Sequence, residues 1–285
     1  MRATVLTDNL ADAPLSGEWG LCIHIEYRGK RFLLDTGASP LFEQNAARLD
    51  IPLDEVEAGV LSHAHYDHAN GMDRFFAANR RAVFYLQKSC GENCYKKVGF
   101  FNKYIGIRRG LLRQYRNRLV YAEGPRVIAP GVHLVPHSTP GLETVGRQES
   151  MLQRRGLRWE FDNFSHEQSL VFETAQGLVV FNSCSHGGVE NILREAKAAC
   201  SGQRVRALVG GFHLFNKGEP VVRQLAEQLR EAQIQAVYTG HCTGERAFAI
   251  LREELGDMVH PLRTGLAIEF DEENPQETGE NACHE

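Results

Sequence analysis

Leu61-Ser62-His63-Ala64-His65-Tyr66-Asp67-His68-Ala69-Asn70-Gly71-Met72 places four metal-ligand side chains, His63, His65, Asp67 and His68, within six positions. The preceding Ala58-Gly59-Val60-Leu61 is short and apolar, the pattern of a buried strand. The following Ala69-Asn70-Gly71-Met72-Asp73-Arg74-Phe75-Phe76 can open a helix, so the cluster sits where a strand hands over to a helix. Residues two apart in an extended chain point the same way, so His63 and His65 can share one cation. Asp67 and His68 lie beyond the turn and can diverge toward a second. Imidazole suits zinc, iron, copper or nickel, and a carboxylate adds a hard anionic ligand. A solvated histidine-rich loop is the plain alternative. Three histidines and an aspartate directly after an apolar strand argue against it.

Outward from this stretch the chain reads as α/β. Strands are predicted at Ala3–Thr7, Leu21–Tyr27 and Arg31–Asp35, with a hairpin turn at Tyr27-Arg28-Gly29-Lys30. Pro40 opens a helix whose Phe42, Ala46 and Leu49 keep helical spacing. Further strands are predicted at Ala82–Leu86, Gly131–Pro136, Gln168–Glu173 and Leu178–Asn182. Between residues 88 and 126, ten Lys or Arg face only Glu92 and Glu123, with six Phe or Tyr interleaved. That reads as a basic, aromatic insertion of the kind that caps an active site, or as a solvated basic face. The Arg-rich stretch Gly141–Phe164 reads as a long loop near the site. The last third alternates: helices Val189–Ala199, Glu219–Ala232 and Glu245–Leu255, strands Val205–Val209, Ala236–Tyr238 and Leu266–Phe270. The whole suits a four-layer αββα sandwich in one domain, residues 1–270, ending in a flexible acidic tail, 271–285.

The chain has 285 residues, 42% hydrophobic and 24% charged, enough for a sizeable core. A formal net charge of −4 offers no nucleic-acid footprint. No apolar run approaches a membrane span, and the first residues read as a strand rather than a signal peptide. Seven cysteines, an odd number in a large chain, fit a reducing cytoplasm better than a disulfide framework. The oligomeric state is not legible.

Two more histidines share the context of His63. His186 follows the apolar run Leu178–Phe181, and His241 follows Ala236-Val237-Tyr238, each before a helix start. That placement selects them as metal ligands over His133, His260 and His284. Asp35, at a strand end beside the motif, can accept a hydrogen bond from the free nitrogen of a metal histidine. Cys184 and Cys242 each lie beside such a ligand, as outer-sphere groups or small buried thiols. His213, after the strand Val205–Val209, reads as an outer-sphere group or a substrate contact, a catalytic donor to developing charge. In the insertion, Arg108, Arg109 and Tyr104 are candidate contacts to an anionic substrate.

His-x-His-x-Asp-His after a strand resembles the signature of the metallo-β-lactamase superfamily of metallohydrolases. Phe32-Leu33-Leu34-Asp35-Thr36-Gly37 is similar to the Asp-Thr-Gly strand end upstream of the motif in that family. Ser183-Cys184-Ser185-His186-Gly187-Gly188, Gly210-Gly211-Phe212-His213-Leu214 and Gly240-His241-Cys242-Thr243-Gly244 resemble one branch. Its members are the 7,8-dihydropterin-6-methyl-4-(β-ribofuranosyl)aminobenzene-phosphate synthase-like proteins. Asp8-Asn9 and Gly20–Glu26 also resemble that branch. The resemblance implies an αββα fold with metals at one edge. It also implies a third first-site histidine at ground comparable to His166. Where many members carry a bridging aspartate, this chain has Cys184-Ser185-His186.

The expected activity is that of a metal-dependent hydrolase. It would use a metal-bound hydroxide on a phosphorylated or otherwise anionic small molecule, a phosphoester or pterin-related compound. Two divalent ions, zinc first with iron or manganese as alternatives, would lower the pKa of a shared water from about 15.7 toward about 7. Asp67 would then ligate a metal and hold the nucleophile's proton. Iron-dependent redox chemistry on the same scaffold and a non-catalytic metal sensor are the competing readings.

Overall fold

Alternation along the first strands sorts their side chains into two apolar layers. Val5 faces Ile23, Ile23 faces Leu34 and Ile25 faces Phe32 across the ladders, and all five point to one side. Leu6, Cys22 and Leu33, one residue out of phase, point to the other. Strands buried on both faces need cover on both. The computed structural model of the chain, which describes residues 1–270, supplies it.

Two seven-stranded sheets face each other. The first runs, edge to edge, Ala267–Glu269, Arg2–Thr7, Cys22–Tyr27, Lys30–Leu34, Ala58–Val60, Val83–Gln87, Leu119–Ala122. The second runs Val259–Pro261, Ala236–Thr239, Val205–Gly210, Gly177–Phe181, Gln168–Thr174, Val132–Pro136, Arg126–Ala129. Ile23, Ile25, Phe32 and Leu34 from one sheet meet Leu170, Phe172, Val179 and Phe181 from the other in a shared core. Helices Leu41–Arg48 and Met72–Ala78 cover the first sheet's outer face through Phe42, Ala46, Met72, Phe75 and Phe76. Helices Val189–Ala199, Glu219–Glu231 and Glu245–Leu255 cover the second. In Glu219–Glu231 the buried residues are Val222, Leu225, Ala226 and Leu229, one stripe at helical spacing. Truncating Leu229 to Ala would cost about 2–5 kcal/mol. The four-layer αββα order expected from the sequence is the order observed.

A third, four-stranded sheet departs from expectation. It runs Arg158–Phe161, Met151–Arg155, Cys94–Val98, Phe101–Tyr104. The stretch expected as a loop, 141–164, therefore holds a helix, Glu143–Gln148, and a hairpin. Its arginines hid the strands because their side chains are exposed and lie on aromatic rings of the hairpin, Arg154 over Trp159 and, from the helix, Arg147 over Phe161. The basic segment 88–126 does not fold by itself either. Its hairpin joins the third sheet, whereas Leu119–Ala122 completes the first. The expected acidic tail lies outside the described residues.

Several neighbouring strands run parallel: Lys30–Leu34 through Leu119–Ala122 in one sheet, Gly177–Phe181 through Val259–Pro261 in the other. Loops leaving their carboxyl ends carry Asp35, His63, His186, His213 and His241, and such ends are where open α/β sheets place their ligands.

Candidate metal centre

The motif loop is pinned to the turn after Lys30–Leu34. Thr36 N–H donates to His68 O at 2.8 Å, and Gly71 N–H to Gly37 O at 3.3 Å. A Cβ on Gly71 would lie 2.0 Å from Thr36 O, so only glycine lets the two segments approach. Asp35, at φ +60°, is the hub. Its Oδ1 accepts Ser62 N–H at 2.7 Å. Its Oδ2 accepts Ser62 Oγ–H at 2.7 Å, Ser183 Oγ–H at 2.6 Å and pairs with His68 Nδ1 at 2.8 Å. One carboxylate thus ties both sheets to the ring of His68. Phe164, Ser185, His213 and His241 also hold positive φ around this centre, a concentration of strain typical of sites the fold over-determines.

Ligand atoms of His63, His65 and His186 lie within 4.8 Å of one another, and so do those of Asp67, His68 and His241. The structure therefore brings together two adjoining triads from three distant parts of the chain. All six residues are buried. The outward nitrogens are held: His63 Nδ1 by Ser62 Oγ at 2.8 Å, His68 Nδ1 by Asp35, His241 Nδ1 by Asn9 Oδ1 at 3.1 Å. His63 Nε2, His241 Nε2 and both nitrogens of His186 are buried with no hydrogen-bond partner. A buried unpaired acceptor costs about 1–3 kcal/mol, and several converging is the pattern a cation satisfies. The His/Asp donor set suits zinc and its neighbours.

Electrostatics agree. Burial, reinforced by the neighbouring imidazoles, holds His63 and His186 well below the ordinary histidine pKa and His65 at about 3. Their lone pairs are free at neutral pH. Burial opposes ionisation of Asp67, but His68 and His241 keep it below the usual carboxylate range. Against its burial, Asp67, Cys242 and Asp8 lift His241 to about 9, so without metal that ring carries the proton a cation would displace.

His166 is placed elsewhere. Its Nδ1 accepts Ala64 N–H at 3.1 Å and its Nε2 meets Asp162 Oδ2 at 3.1 Å. Both nitrogens are engaged, and the ring props the motif backbone at Ala64, while His186 is the histidine grouped with His63 and His65. His166 falls in a separate group with His65, Cys94 and Asp162. Cys184 comes closer than an outer-sphere role implies, its Sγ 3.3 Å from His68 Nε2.

The metallo-beta-lactamase superfamily model matches residues 20–150, the segment that carries Asp35 and the whole His63–His68 motif. In that segment and in its fold the chain is similar to the metallo-β-lactamase superfamily. A solved metal-dependent hydrolase of the beta-lactamase superfamily, Tm1679, superposes with a TM-score of 0.79 at 26% identity, covering 95% of this chain and all of that one. The 7,8-dihydropterin-6-methyl-4-(beta-D-ribofuranosyl)-aminobenzene-5'-phosphate synthase of Methanocaldococcus jannaschii is 24% identical over 279 residues, 91% of this chain and 92% of that protein. A diphosphatase of the PhnP family shares the fold, with a TM-score of 0.56 at 14% identity.

Above the histidine cluster opens a cavity of about 110 Å³, lined by His65, Asp67, Cys184, His186 and His213 on its floor. Trp19, Tyr66, Phe215 and Lys96 form its rim. Trp19 stands edge-on to Phe215 at 5.9 Å, and Lys96 Nζ lies 5.9 Å from the Phe215 ring. Arg108, Arg109 and Tyr104 do not reach this lining. Arg108 pairs with Asp73 at 3.4 Å, and Arg109 lies over Tyr104 and bonds Tyr95 Oη at 3.0 Å. Those cations are spent on their own neighbours.

His213 faces the cavity with its ring 4.4 Å from His186 and Nε2 3.6 Å from Glu149 Oε2. Burial works against its protonation, but Cys242 and Glu149 raise it to about 9. Glu149 escaped sequence reading, as did the buried network behind His186. There Glu167 Oε1 accepts His186 N–H at 2.9 Å and Oε2 accepts Gly187 N–H at 2.9 Å. His137 bonds Glu167 through Nε2 and Glu195 through Nδ1, the latter at 2.7 Å. Glu167 directly follows His166 in sequence, the one signal that could have drawn attention to it. Among the described residues, no helix is long and apolar enough to cross a membrane.

Proposed function

We propose that this chain is a dinuclear metallohydrolase acting on a phosphorylated small molecule that carries a planar ring. The carrying observation is the pair of adjoining triads, His63/His65/His186 and Asp67/His68/His241, whose buried unpartnered nitrogens converge below one cavity. Two divalent ions held there, zinc foremost, would supply Lewis-acid charge and water of lowered pKa. The rest is done by the chain. Asp35, Ser62 and Asn9 orient the rings of His68, His63 and His241. Asp67, anionic and beside both His68 and His241, ligates and accepts a proton from the attacking water. His213, cationic beside Glu149, donates a proton or hydrogen bond to the leaving oxygen. Lys96 offsets phosphate charge, and Trp19 and Phe215 stack on a ring.

A substrate of this class agrees with the names of two similar proteins, the archaeal synthase, named for a pterin-related phosphate, and the diphosphatase. The reducing interior expected from the cysteines fits the six free, buried thiols among the described residues. The test is a screen of metal-reconstituted protein against phosphomonoesters, phosphodiesters and diphosphates, each with and without an aromatic base. Hydrolysis favouring aromatic phosphates supports the reading. Activity indifferent to metal removal would contradict it.

A further inference from the structure

We propose that Cys184 is a thiolate ligand shared by both cations of the centre. The inference rests on the two-cation reading above and names the group that joins the two triads.

The loop after Gly177–Phe181 is fixed on both sides of Cys184. Ser183 Oγ–H donates to Asp35 Oδ2, Ser185 N–H to Asn182 Oδ1 at 2.8 Å, and Ser185 Oγ–H to Gly211 O at 2.8 Å. Ser185 holds φ +54°. The turn so formed aims the buried Cys184 side chain between the triads. Its Sγ groups with His63 and His68 within 4.8 Å, and again with His241 and Cys242. The thiol therefore adjoins one member of the first triad and two of the second. Nitrogen and sulfur ligands on one zinc, at about 2.0 and 2.3 Å in tetrahedral array, stand roughly 3.5 Å apart. Cys184 Sγ and His68 Nε2 stand 3.3 Å apart.

Four of the surrounding carboxylates, Asp35, Asp162, Glu149 and Glu167, are already committed. Asp35 is filled by Ser62, Ser183 and His68. Asp162 accepts from Gln153, Phe164 and His166. Glu149 is held by Asn216 and Lys217, and Glu167 by His137, His186 and Gly187. Cys242 is engaged as well: its Sγ accepts His213 N–H at 3.3 Å and lies 3.7 Å from Cys184 O. Among these groups Cys184 holds the central position, its Sγ facing His68 Nε2 on one side and the Cys242 sulfur on the other. On coordination its S–H proton passes to solvent and the sulfur lone pairs bond the cations. With Asp67 and this thiolate as the anionic ligands, two divalent ions keep a net charge of two positive units, matched to a phosphate dianion.

Two measurements test this without relying on turnover. X-ray absorption of the zinc-loaded wild-type protein should show about one sulfur per zinc at about 2.3 Å. In the cadmium-loaded protein, both cadmium NMR signals should move upfield in Cys184→Ser, and neither should in Cys242→Ser. One signal moving, or half a sulfur per zinc, would overturn the sharing. Full metal uptake with no sulfur would overturn the proposal while leaving the two-cation reading intact. Failure to take up metal at all would end both.

Discussion

Replacing His137 by Asn should destabilise the metal-free protein by about 3 kcal/mol near pH 6.5, and the deficit should shrink as pH rises. His137 is buried between two carboxylates, Glu167 at Nε2 and Glu195 at Nδ1. Burial alone would lower its pKa, yet the two partners carry it from 6.5 up to about 9. At about 1.4 kcal/mol per pH unit, that rise amounts to roughly 3 kcal/mol of preferential stabilisation of the folded state. Because the folded pKa lies above the unfolded one, this stability is fully present below about 6.5 and is lost as pH climbs through about 9. The same interaction is seen from the other side in Glu195. Its burial is outweighed by His137, Thr139 and Ser138, which hold it at about 2. That share is present above the ordinary 4.5 and is lost as pH falls toward 2. The two are one interaction and do not add. Chemical denaturation of wild type and His137→Asn, both stripped of metal, at pH 6.5 and 9 measures the difference directly. A gap near 3 kcal/mol at pH 6.5 that falls to about 1 kcal/mol or less at pH 9 is expected. A gap that does not change with pH, or no gap at pH 6.5, would refute the charged-histidine assignment.

Further substitutions separate the roles. His186→Ala and His241→Ala should each lose bound metal and lower kcat, read by elemental analysis beside steady-state kinetics. His213→Ala should keep its metal and lose roughly 100-fold or more in kcat, the magnitude for a positioned donor to developing charge. Lys96→Glu should raise KM for a phosphate substrate while sparing kcat, and reversal of Arg108 and Arg109 should leave both unchanged. Asn9→Ala, which frees His241 Nδ1, should weaken metal affinity about 10- to 100-fold in a competitive chelator titration.

What could be read from the sequence tracks what is local. The motif 63–68 is contiguous, and its strand-to-helix setting follows from a three-residue apolar run and a glycine-bounded helix. His186 and His241 were legible because their surroundings repeat that setting. Cys184 and Asp35 were legible as neighbours of the site, although not in their distances. The Glu167–His137–Glu195 network was not, because its members lie 30 and 58 residues apart in sequence and meet only after the second sheet and its helix pack. The basic segment misled for a related reason. Charge density marks a surface but not the direction of each side chain. Of the ten cations, Lys96 reaches the cavity rim, whereas Arg108 and Arg109 are spent on Asp73, Tyr104 and Tyr95. His166 falls in a different group from the two triads, with His65, Cys94 and Asp162, and its nitrogens meet Ala64 N–H and Asp162.

The central claim is that six side chains from three distant segments hold two cations in one hydrolytic centre. Metal titration of the stripped wild-type protein, read against the His65→Ala/His68→Ala double variant, tests it most directly. Saturation at two ions per chain in the wild type is expected, with near-complete loss in the double variant and the fold kept by circular dichroism. Near-stoichiometric metal retained by the double variant, or none taken up by the wild type, would contradict it.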